Sequence, residues 1–215
     1  MYPLFVIFFG LAIYRSQTDL RHFESMVSDN GLFQWMIFAT LIFASVMCFY
    51  RASILKPFRG SVFSTFQVLL GIVFLAFALD EISWTQIIFN FKSPEFFYTH
   101  NSKLQLNFHN LILVGFHVNH IVFTLSIKIL ATLYFLIIPY LYPRSIQIKN
   151  FVNQYAIAIP RYTHTVAYVI MGIMTTFIPS DLKNVVFEFG FYWLLVLMMY
   201  NPLNDEVFSR KSLVR

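Results

Sequence analysis

The sequence predicts an all-α, polytopic membrane helix bundle, with about six transmembrane helices and a re-entrant or interfacial helix before the fourth. Three observations predict it. Over 215 residues, 58% are hydrophobic and only 12% are charged, whereas soluble domains carry about 25% charged residues. Mean hydropathy is +0.66. Apolar residues gather into long runs, and basic residues concentrate in alternate intervening loops. The loops leave no room for a sizeable soluble domain, so residues 1–215 are expected to form a single integral-membrane domain.

The apolar runs cover residues 2–14, 32–50, 63–79, 111–142, 163–179 and 185–200. A span needs about 20 residues, with about 17 as the lower limit. Run 2–14 is therefore the weakest candidate. It has no basic flank before it and no small-residue cleavage site after it, so it reads as an uncleaved first span rather than a signal peptide. The third run is expected to continue to Trp84, which would bury or half-bury Asp80 and Glu81.

Loop charges set the expected orientation. Arg51, Lys56 and Arg59 follow the second run; Arg144, Lys149 and Arg161 follow the fourth; Arg210, Lys211 and Arg215 follow the sixth. The alternate loops carry little excess positive charge. The positive-inside rule then places both termini and the basic loops in the cytoplasm, in what reads as a bacterial inner membrane.

The fourth run needs a special solution. From His109 to Tyr142 a continuous helix would be about 50 Å long, against a hydrocarbon core of about 30 Å. Two full spans and a turn do not fit. The expected answer is a span over residues 119–142, preceded by a re-entrant or interfacial helix starting at His109. Pro139 and Pro143 are expected to kink and then end that span. The loop over residues 91–107 is rich in aromatic residues and is expected to lie on the membrane surface.

The net charge of +5 is accounted for by topology-setting loops, which excludes nucleic acid as a partner. Membrane lipids and other membrane proteins are the expected partners. Cys48 is the single cysteine, so no intrachain disulfide forms.

With this topology, polar residues from three segments converge at the outer face. Asp80, Glu81, Ser83, Trp84 and Gln86 end the third span. Asn101, Gln105, Asn107, His109 and Asn110 lead into the fourth, and Glu188 lies one turn into the sixth. A carboxylate beside hydrocarbon is a functional-site candidate by default. On an unbroken helix from His109, His120 falls about 20° around the axis from His109. His117 and His120 then share a face at i,i+3. Three chemistries stay open. Glu81 is a candidate general base with His109 as its partner. His117 and His120, with His109 and Glu81, are candidate ligands of zinc or another divalent ion. The same groups can carry protons or ions. The plainer alternatives are hydrogen bonding between helices for the histidines, an N-cap for Asn107, water exposure for Asp80 and an interfacial anchor for Trp84.

Asp80–Gln86 (DEISWTQ), Pro94-Glu95-Phe96, Asn101 and Asn107–Asn110 (NFHN) together resemble a pattern in a group of uncharacterised bacterial multi-pass inner-membrane proteins. That pattern reads EEISWGQR, a TPE-type turn, then NxQxExNLHN. The resemblance covers about thirty residues and implies no function. This chain departs from it: Thr85 replaces Gly, Ile87 replaces Arg, Lys103 replaces Gln and Gln105 replaces Glu. Loss of a base and an acid together is charge-neutral, as though an ion pair had been dropped. Asp80-Glu81 also matches the start of the EExxxR motif of CPBP-type intramembrane proteases, without its Arg. Ser83, His109, His117 and His120 supply the residue types of alkaline-ceramidase-like hydrolases, without a spacing that aligns.

Two functions follow as expectations. One is an accessory or structural subunit of a larger membrane complex, with the polar cluster as an internal hydrogen-bond network and bound lipid around it. The other is a membrane-embedded hydrolase or transferase acting on a lipid or lipid-linked substrate. It would use Glu81, His109, His117 and His120, with a divalent metal as an optional cofactor.

Overall fold

The chain folds as a mostly helical, all-α protein. A computed structural model describes residues 2–113, 115–118 and 125–209, with only the backbone of His117. α1 covers Tyr2–Thr18 and α2 covers Leu20–Val27. Asp19 caps α2, its carboxylate accepting the His22 N–H at 3.0 Å.

α3 runs over Leu32–Glu81 and breaks once, at Gly60 (φ 81°, ψ 178°). That backbone state is open to glycine and strained for other residues. The break lets the helix fold back on itself. Ser45 Oγ donates to the Gly71 carbonyl at 2.8 Å, and Gln34 at the start of α3 donates to the Glu81 carbonyl at its end. The expected second and third runs are thus the two arms of one helical hairpin. The basic stretch between them, expected to be a loop, is helical up to the Gly60 break because nothing before Gly60 leaves helical dihedrals. Among the described residues, one helical stretch is long and apolar enough to cross a membrane, Leu20–Glu81, which contains this hairpin.

After short helices α4 (Gln86–Phe89) and α5 (Glu95–His100), the chain departs from expectation. No helix starts at His109. Residues Ile112–Leu113 (β1) and Phe116–His117 (β2) form a small antiparallel hairpin, and Asn101 bridges Leu111. The backbone N–H groups of Phe108 and His109 both donate to the Asp80 carboxylate, which ties this turn to the end of α3. Gly115 (φ 79°) then turns the chain back. The re-entrant or interfacial helix is therefore replaced by a capped turn and a hairpin.

The rod Ile127–Leu141 follows, as α6 (Ile127–Thr132), a π stretch (Leu133–Ile137) and α7 (Ile138–Leu141). The π stretch lies just before Pro139, where the missing N–H cannot extend an α ladder. The N-terminal part of the span expected at 119–142 lies partly outside the described residues. α8 (Ile146–Gln154) is capped by Ser145, whose Oγ accepts from Ile148 N–H. α9 (Tyr162–Thr176) and α10 (Lys183–Tyr200) match the fifth and sixth runs, and α11 (Asp205–Phe208) ends the described chain.

α10 is central and packs against α1, α3 and α9. Phe9, Phe33, Phe189, Met171 and Leu194 are fully buried around it. Gly190 makes that approach possible: a Cβ there would stand 2.4 Å from Met171 Sδ and 2.6 Å from the Phe9 ring. Two ends result. One gathers the Gly60 turn, α8, the start of α9 and the end of α10, tied by Arg59 to the Glu206 carbonyl, Arg51 to the Met199 carbonyl and Arg161 to Asp205. The other gathers both ends of α3, the 83–113 segment and the start of α10.

Candidate functional site

At that second end, α3 stops in an unusual way. Ser83, Trp84 and Thr85 have φ of 50°, 51° and 73°, three successive left-handed residues without a glycine. Each such residue costs about 1–2 kcal/mol. The turn folds the 86–113 segment back over the end of α3 and aims Gln86 into it. Gln86 donates to the Phe91 carbonyl and Ser93 Oγ, both at 2.9 Å, and accepts the Leu106 N–H at 2.7 Å.

Asp80 is 5% exposed. Its carboxylate accepts three bonds: Phe108 N–H at 2.6 Å, His109 N–H at 3.2 Å and His109 Nδ1 at 2.9 Å. The other ring nitrogen of His109 meets Asn110 Nδ2 at 3.1 Å. The water-exposed role considered for Asp80 is thus replaced by a buried clamp, since these donors would otherwise have no partner.

Asn107 is fully buried at 0% exposure. Its Nδ2 donates to Ser83 Oγ and Gln105 Oε1, each at 3.0 Å. Its Oδ1 accepts from Asn101 Nδ2 at 2.8 Å and from Asn110 N–H at 3.3 Å. The last bond has the geometry of the expected N-cap, but it closes a single turn because no helix follows. Asn101 Oδ1 in turn accepts the Lys103 and Gln105 N–H groups. Trp84 is 36% exposed and packs edge-on to Phe108, which packs the same way against Phe97.

Glu81 and Glu188 are half-buried and face a cavity of about 80 Å³, together with Gln34, Asp29, Lys103 and His109. Lys103 Nζ pairs with Asp29 at 2.6 Å across one side. The Tyr192 hydroxyl, one turn along α10, hydrogen-bonds to Glu188.

The structure therefore brings together Asp80, Glu81, Ser83, Gln86, Asn101, Asn107, His109, Asn110 and Glu188, with Trp84 at the rim. It does not unite the histidines in the way the helical spacing required. His117 lies on extended strand β2 opposite Ile112, which removes the i,i+3 relation. His120 lies outside the described residues. Among the described residues, no three His, Cys, Asp or Glu side chains are grouped to hold a metal ion. Gln34, Ser93 and Tyr192 escaped the sequence reading. Two of them carried a signal: Gln34 is a lone amide in an apolar run, and Tyr192 stands four residues after Glu188 on one helix face.

No family model, curated protein or solved structure matches the chain, so its activity has to be read from this geometry.

Proposed function

We propose that this protein is an accessory subunit of a membrane complex: a multi-pass, six-span protein of a bacterial inner membrane with both termini cytoplasmic. Its polar cluster locks the outer end of the bundle. The observation that carries this reading is the closure of the cluster. Asp80, Asn101, Asn107 and His109 direct their polar atoms at one another and at the backbone. The room left beside Glu81 is about 80 Å³, while small-molecule sites occupy about 300–1,000 Å³. Polar groups that hold elements together inside a bilayer behave in this way.

Support for the membrane setting comes from the outward residues. Phe43, Val46, Tyr50, Phe66, Leu69 and Ile72 on α3 and Val166, Ile170 and Ile173 on α9 are exposed, an apolar surface that water does not suit. Support for a partner comes from a groove of about 330 Å³ between the first arm of α3 and α10, lined by Met36, Thr40, Phe43, Trp193 and Val196. Trp193 Nε1 is buried there with no acceptor among the described residues. A partner helix seated in the groove would cover its apolar lining.

A second reading, hydrolysis of a lipid-linked bond, draws on Glu81, His109 and Glu188 lining one cavity large enough for a few waters. One experiment separates the two. The tagged chain is extracted in a mild detergent and weighed by native mass spectrometry, as wild type, Thr40→Trp and Glu81→Gln. A stoichiometric complex with another membrane protein, lost on filling the groove at Thr40, supports the subunit. A lone or homo-oligomeric chain carrying a divalent metal, with lipid turnover abolished by Glu81→Gln, overturns it.

A further inference from the structure

A second, larger cavity of about 570 Å³ shares no lining residue with the groove just described. Its walls are the second arm of α3, the Ile127–Leu141 rod, the segment 155–158 and α10. Leu70, Val73, Phe77, Leu130 and Leu195 make it almost entirely apolar. Among the described residues its lining holds no carboxylate and no imidazole, which sets it apart from the cavity beside Glu81. Its size falls within the range of sites that enclose a small ligand.

Two polar groups mark one end of it. Arg51 lines the cavity at the basic end of the bundle; its guanidinium stacks on Phe208 at 4.4 Å and donates to the Met199 carbonyl. A guanidinium has five N–H donors, so capacity remains after that bond. Gln67 is 2% exposed and also lines the cavity. Its Nε2 donates to the Ala156 carbonyl at 3.0 Å, yet among the described residues no donor reaches its Oε1. Buried polar atoms without partners are rare, and each calls for a specific reason. From Gln67 to Phe77 the wall rises about 15 Å at 1.5 Å per residue. That equals half of a hydrocarbon core of about 30 Å, the depth of a single leaflet.

We propose that this cavity holds one acyl chain of an anionic glycerophospholipid. Arg51 donates to a phosphate oxygen, and a small turn of the buried Gln67 side chain brings its Oε1 to a hydroxyl of the headgroup. The tail runs along the second arm of α3 toward Phe77. The site rests on the membrane setting of that reading but not on its partner, since this cavity and the groove at Trp193 share no lining residue.

The test uses the full chain, delipidated in detergent and then mixed with defined lipid, with retention read by native mass spectrometry. Phosphatidylglycerol, phosphatidylcholine and inorganic phosphate are the probes. One phosphatidylglycerol should be retained per chain, roughly tenfold more strongly than phosphatidylcholine. Arg51→Gln should erase that preference. Gln67→Leu should weaken phosphatidylglycerol about tenfold. Val73→Trp, at a position that faces the open side, should block both lipids while leaving the melting temperature unchanged. Equal retention of the two lipids, retention indifferent to Val73→Trp, or phosphate bound as well as lipid would overturn the proposal. So would a co-purifying membrane protein whose cross-links map to Phe66, Leu69 and Val73. Should Arg51→Gln fail to fold, the Gln67 and Val73 variants still decide.

Discussion

Replacing Asp80 by Ala removes the acceptor of three bonds at once: Phe108 N–H at 2.6 Å, His109 N–H at 3.2 Å and His109 Nδ1 at 2.9 Å. An orphaned buried donor costs about 1–3 kcal/mol. Phe108 is half exposed, so water can reach part of the gap, and the 3.2 Å bond is the weakest of the three. One full penalty and two partial ones give a loss of about 3 kcal/mol. At about 1.4 kcal/mol per tenfold, local opening of the 107–110 turn should be roughly a hundredfold more frequent. Amide hydrogen exchange in detergent reads this directly, at the Phe108 and His109 amides. Asp80→Asn keeps one acceptor oxygen and should show about half the effect in free energy. Exchange at these two amides that is unchanged in Asp80→Ala would refute the claim that the Asp80 clamp holds the 107–110 turn closed.

Other outcomes follow from neighbouring residues. Thr85 is β-branched at φ 73°. Thr85→Gly should therefore raise stability by about 1 kcal/mol, the left-handed penalty less the extra chain entropy of glycine; a lower midpoint on thermal unfolding would contradict this. Asn107→Ala leaves partners on Ser83, Gln105, Asn101 and Asn110 unmet and should cost about 3 kcal/mol, read by the same melting assay. The Lys103–Asp29 pair has both side chains more than a third exposed, so Lys103→Ala should shift stability by less than about 1 kcal/mol and less still at high salt. A shift larger than that would show the pair to be part of the buried cluster.

How much of this was legible in the sequence differs between the apolar and polar parts. The arms of α3, α9 and α10 follow from apolar runs bounded by charge, because burial of a continuous apolar face depends little on partners. The gathering of Asp80, Asn107 and Glu188 is legible from the order of the apolar runs, since helices that fold back on one another bring alternate ends together. The 109–117 segment is not. Its composition suits a helix, but Gly115 (φ 79°) turns the chain back into a hairpin, and the Asp80 carboxylate holds the 107–110 turn from another element. Single-sequence periodicity cannot register a partner 28 residues away. The histidine spacing failed with the helix that carried it. Gly60 is the opposite case, a break that the Pro57 to Gly60 stretch announces locally but that a charge-based reading treated only as a loop.

The division of labour between the two cavities has a physical origin in α10. Its Glu188 faces the small polar cavity and its Leu195 faces the large apolar one. Tyr192 sits between them: its hydroxyl is bonded to Glu188 while its ring forms part of the apolar wall. An aromatic residue with one polar tip suits such a boundary, because the ring excludes water from the hydrocarbon side and the hydroxyl satisfies an acceptor on the other. A carboxyl group placed directly against the apolar cavity would carry a desolvation cost with nothing to offset it. With Tyr192 interposed, the polar cluster stays closed at one end of the bundle while the larger cavity stays apolar. The same arrangement sets Glu81 and Glu188 apart from the acyl chain proposed for the larger cavity: the wall that makes that cavity apolar is the one that separates them from it.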